Sequence, residues 1–114
     1  MARRNIRLTR GADAQSVLRT AQAALAERGY GWEASGRGSA RAYEGGRPVK
    51  PKRMTKRLLV GLTIAGDRLL LRRESSGWGF GPSLGFLLSA RINREFRRAG
   101  QAVHTALRSA GLAA

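Results

Sequence analysis

At 114 residues the chain has the length of one domain, and its 42% hydrophobic content supports one modest core. It contains no cysteine, which excludes a disulfide framework, thiolate chemistry and cysteine-ligated zinc. Lysine and arginine number 22 against 7 acids, a formal net charge of +15 that repels itself unless counter-ions or an anionic partner neutralise it.

Residues 1–10 carry Arg3, Arg4, Arg7 and Arg10 around Ile6 and Leu8, a pattern equally consistent with a basic arm and a short strand. Arg7 and Arg10 interrupt any apolar run of signal-peptide length. Residues 77–90 are too few and too glycine-rich to span a bilayer, which takes about 20 apolar residues. The expectation is a soluble, cytoplasmic protein.

Asp13 is placed to cap a helix that runs to about Arg28, with Gly29 at its C-terminal end. Ala14, Val17, Leu18, Ala21 and Leu25 form its apolar stripe. Two short strands are expected within residues 30–43, joined at Ser35-Gly36-Arg37-Gly38. Residues 45–57 come next as an exposed basic loop in which Arg47, Lys50, Lys52, Arg53, Lys56 and Arg57 surround Pro48 and Pro51.

Residues 57–73 carry the clearest strand signal. Two apolar runs flank Gly66-Asp67, a pair suited to a tight two-residue turn. Counting outward from that turn pairs Ala65 with Arg68, Leu62 with Leu71 and Gly61 with Arg72. Leu58, Val60, Leu62, Ile64, Leu69 and Leu71 then share a core face, with Arg68 and Arg72 on the other. A flexible segment leads to Pro82, suited to the first turn of a long helix over about 83–110. Its apolar arc contains Leu84, Leu88, Ile92, Phe96, Ala99, Val103, Leu107 and Ala110. Arg91, Arg94, Arg97, Arg98, His104 and Arg108 lie outside that arc. Gly100 is a candidate bend. The fold class is α+β: one domain over residues 1–114, in which an antiparallel sheet of about four strands packs against an N-terminal and a long C-terminal helix.

Several short patterns suggest chemistry. Gly81-Pro82-Ser83-Leu84-Gly85 matches the G-x-S-x-G nucleophile elbow, but only Glu95 and His104 come after it as partners, both on the helix that Ser83 begins. Residues 58–100, with their hairpin, Gly77-Trp78 and Arg94-Glu95-Phe96, loosely resemble the Nudix hydrolases. Arg97 and Arg98 stand where that family keeps acidic metal ligands, so the resemblance implies no metal-dependent activity. Ser76-Gly77-Trp78-Gly79-Phe80-Gly81 is similar to the glycine and aromatic core of the RNP1 motif, whose exposed rings stack on bases. The leading basic, following aliphatic and final aromatic residues of that motif are missing here, and Trp78 and Phe80 can equally pack as core. The scattered acids and the single histidine imply no metal, no cofactor and no small-molecule substrate.

The expected function is therefore non-enzymatic. Arginine's planar fork can bind two phosphate oxygens at once, and the basic residues group in the N-terminal segment, the 45–57 loop and the polar arc of the last helix. Arg47, Lys50, Lys52, Arg53, Lys56, Arg57, Arg68, Arg72, Arg91, Arg94, Arg97, Arg98 and Arg108, with Trp78, are the candidate nucleic-acid-binding residues. RNA is favoured over DNA because no groove-reading motif is present. Alternative partners are an anionic membrane surface, met by the amphipathic last helix, and an acidic protein.

Overall fold

A computed structural model describes residues 2–47, 57–75 and 82–114. Strand β1 (Arg3–Arg7) precedes helix α1 (Ala14–Glu27). Strands β2 (Gly31–Gly36), β3 (Ser39–Tyr43), β4 (Leu59–Ala65) and β5 (Arg68–Arg73) come next, and helix α2 (Pro82–Ser109) is last. The strands form one antiparallel sheet in the order β1-β5-β4-β3-β2. The α+β class holds, with five strands rather than about four. The additional one is β1, which pairs with β5 far along the chain.

Local signals set the ends of α1. Asp13 has extended backbone geometry, and its carboxylate accepts from the Ser16 amide at 3.0 Å. Gly29 takes φ +84, where a side chain would be strained. The β4–β5 register is the one that the turn dictates, Ala65 opposite Arg68 through Gly61 opposite Arg72.

Both helices cover one face of the sheet. Ile6, Val60, Leu62, Leu69 and Leu71 from the strands meet Val17, Ala21 and Leu25 of α1 and Ile92, Phe96, Ala99, Val103 and Leu107 of α2. Burying a large apolar side chain of this kind contributes about 1.5–3 kcal/mol. One expectation for α2 is corrected. Its apolar stripe is shorter than the periodicity indicated, since Leu84 is 46% exposed and Ala110 is also exposed, while Leu88 is half-buried. Gly100 lies within an unbroken helix. Its bare Cα makes room for the aliphatic stem of Arg4, whose Cδ would stand 2.8 Å from an added Cβ.

Candidate nucleic-acid interface

Strand alternation assigns each residue to a face of the sheet. With Ile6, Leu69, Leu71, Val60 and Leu62 turned to the helices, Arg3, Asn5, Arg7, Arg68, Leu70, Arg72, Gly61, Thr63, Ser39, Arg41 and Glu33 turn to the opposite face, which is open along β1 and β5, whereas Gly61, Leu59 and Tyr43 are buried on its β3–β4 part. One cross-strand row then reads Arg3, Arg72, Gly61, Arg41 and Glu33. Another begins with Arg7 opposite Arg68. Adjacent strands lie about 4.8 Å apart, and four residues along a strand cover about 13 Å. The two arginine pairs are thus separated by one neutral row containing Asn5, Leu70 and Thr63.

The acids near this face do not neutralise it evenly. Glu74, one residue past β5, lies across Gly61, where any Cβ would collide with its carboxylate. From there its Oε2 reaches Arg41 Nε at 3.2 Å. Asp67 stands 3.9 Å from Arg7 and 4.0 Å from Arg68, but these side chains are 58–75% exposed, where solvent leaves such pairs little energy. Among the described residues no acid lies within ion-pair distance of Arg3 or Arg72. Like charges directly opposite each other in a ladder are destabilising. The β1–β5 ladder carries two such pairs.

The other candidate residues lie elsewhere. Arg94, Arg97, Arg98 and Arg108 are exposed on the side of α2 turned away from the sheet, so they share no surface with Arg68 and Arg72. Arg91 is held by Glu44, at 2.8 Å to Oε2 and 3.2 Å to Oε1, and that bond raises its pKa above the ordinary arginine value. Arg57 donates to the backbone carbonyls of Glu44 and Arg47, each at 3.2 Å, and so tethers one end of the basic loop. Arg47 is exposed. Lys50, Lys52, Arg53, Lys56 and Trp78 lie outside the described residues. Sequence reasoning placed Arg3 and Arg7 in a basic segment without a partner strand, and it left Arg41 out of the candidate set. Their grouping with Arg68 and Arg72 requires the β1–β5 and β3–β4 registers.

Other polar groups serve the packing. Glu95 accepts from Arg28 at 2.9 Å and from the Tyr30 hydroxyl at 3.0 Å, linking α2 to the end of α1 and the start of β2. Burial, then the Glu95 charge, pushes the Tyr30 hydroxyl far above the ordinary tyrosine pKa. Ser83 and His104 lie on one continuous helix, 21 residues apart, which is about 31 Å along the axis. That separation rules out a nucleophile and base built from this pair. An open cleft of about 780 Å³ between α1 and α2 is lined by alanines of both helices and by Glu27, Arg28, Arg98 and Gln101.

Among the described residues Arg73 is the one arginine in the core, 7% exposed. Its Nη1 donates to Asn93 Oδ1 at 2.6 Å and to Ser89 Oγ at 3.4 Å, while Nε has no partner. Desolvation lowers its pKa, and no acid among the described residues pairs with it. A buried charge without a counter-charge costs more than its hydrogen bonds return. Arg73→Met should therefore leave the protein equally stable, or up to about 2 kcal/mol more stable, in urea denaturation. Clear destabilisation would show that its two hydrogen bonds outweigh its desolvation.

Among the described residues no group of three His, Cys, Asp or Glu could hold a metal ion, and no helix is long and apolar enough to cross a membrane. The chain matches no known protein-family model, no curated protein and no solved structure.

Proposed function

We propose that this protein is a non-enzymatic nucleic-acid-binding protein whose open sheet face grips the phosphate backbone, with RNA preferred over DNA. The observation that carries this reading is the pair of like-charged arginine rungs, Arg3 opposite Arg72 and Arg7 opposite Arg68, on an exposed ladder. Such rungs cost stability in the free protein and gain when phosphates come between them.

The form of the face supports the preference. Among the described residues it presents no exposed aromatic ring for base stacking and no protruding helix. An arginine-bearing sheet surface suits the wide, shallow minor groove of an A-form duplex, with phosphates at its rims, better than the deeper grooves of B-DNA. Binding through Arg3, Arg7, Arg68 and Arg72 should release counter-ions with a log–log salt slope of about −3 to −4. Fluorescence titration of an RNA duplex and of a DNA duplex with the same base sequence, across salt concentrations, measures this slope directly. A flat salt response, or tighter binding of the DNA duplex, would contradict the reading.

A further inference from the structure

The first turns of α2 expose an apolar group that the core does not use. Leu84 is 46% exposed, Phe86 62% and Leu87 63%. These residues lie upstream of the points at which α2 is fastened to the sheet side of the molecule. Those are Ser89 and Asn93, bonded to Arg73, and Arg91, bonded to Glu44.

Beyond the apolar group, the outer side of the helix is basic. Leu87, Arg91, Arg94 and Arg98 succeed one another at spacings of four, three and four, the interval that keeps residues on one helical face. Phe86 leads through Ala90 to Arg97 on the adjoining strip. The only acid on α2, Glu95, is committed to Arg28 and Tyr30. The outer side therefore changes from apolar to cationic along its axis. Leu87 and Arg94 are separated by seven residues, about 10 Å.

From this arrangement we infer a second interaction surface: the start of α2 docks on an anionic lipid surface. Phe86 and Leu87 enter the acyl boundary while Arg94, Arg97 and Arg98 meet the phosphates. Each headgroup zone of a bilayer is roughly 5–7 Å deep, so arginines about 10 Å behind the apolar tip reach it on their flexible stems. Exposed apolar side chains with cationic ones behind them on the same helical face match the apolar-to-anionic order of a lipid boundary. A protein partner would need a matching pocket. Two large apolar side chains give only weak anchorage, so binding requires the arginines as well and is reversible. This surface and the open sheet face lie on opposite sides of the domain, so this inference does not rest on the nucleic-acid reading.

The test uses the full chain with vesicles of equal parts phosphatidylglycerol and phosphatidylcholine, compared with phosphatidylcholine alone. Flotation should show binding to the anionic vesicles only, and Phe86→Ser combined with Leu87→Ser should weaken it about tenfold or more. Both side chains are exposed, so circular dichroism of that variant should match the parent. Because the chain has no cysteine, Leu87→Cys takes a single environment-sensitive fluorophore, and Thr105→Cys, on the exposed distal part of the helix, is the control. The label at position 87 should shift to shorter wavelength with anionic vesicles, and the label at 105 should not. Three results would overturn the inference. These are no shift at 87, vesicle binding unchanged by the double substitution, and self-association through Phe86 and Leu87 without vesicle binding.

Discussion

Replacing Arg72 with glutamate is expected to weaken RNA binding by roughly thirtyfold while leaving the protein slightly more stable than before. Arg72 stands directly opposite Arg3 on β1 and is exposed. In the free protein the substitution turns a repulsive rung into an attractive one, worth about 0.2–1 kcal/mol in its favour. In the complex it removes a phosphate contact and sets a carboxylate against the backbone, a loss of about 2 kcal/mol, and it lowers the salt slope by about one. Urea denaturation and duplex titration on the same preparation read both quantities. Opposite signs identify an interface that sacrifices stability for binding. Loss of stability together with loss of binding would mean that Arg72 is a structural residue and that the open face is not the site.

Glu95→Ala is expected to be the most damaging single change among the polar residues, at about 2–3 kcal/mol, which is roughly 10 °C in thermal midpoint. Its carboxylate receives Arg28 and the hydroxyl of Tyr30, which is 6% exposed. Removing it leaves that hydroxyl without its partner in a place where water does not replace it easily. Tyr30→Phe removes the donor instead and should cost about 1 kcal/mol. With the interaction already broken, the double variant should be scarcely less stable than Glu95→Ala alone, as measured by a denaturation cycle. Full additivity would show that the hydroxyl and the carboxylate act independently.

Legibility in the sequence tracked the range of the interactions. The β4–β5 register was readable because Gly66-Asp67 fixes it within a few residues, and α1 because Asp13 and Gly29 mark both ends. The buried part of α2 was readable from its periodicity, but Leu84 continues that periodicity beyond the point where other residues cover the helix. Strand β1 was ambiguous because five residues of alternation do not disclose what they pair with. The arginine rungs went unseen for the same reason, since a rung is a property of two strands and the sequence displays each alone. Gly100 illustrates a further limit. What lies against it is the stem of Arg4, a neighbour in space from the other end of the chain.

The pairing of β1 with β5 also bears on how the protein reaches its folded state. The β2–β3 and β4–β5 ladders join neighbours in sequence and can close early, whereas Arg3 meets Arg72 only after nearly the whole intervening chain has been gathered in. The bridge from Leu8 to Ala113 spans a longer interval still. Docking of this short, highly charged strand, which contributes one large buried side chain, Ile6, and brings arginine against arginine, is therefore expected to come late in folding. A polyanion present during folding would screen that repulsion and hasten the step, so that, on the proposed function, the ligand would speed the formation of its own binding site.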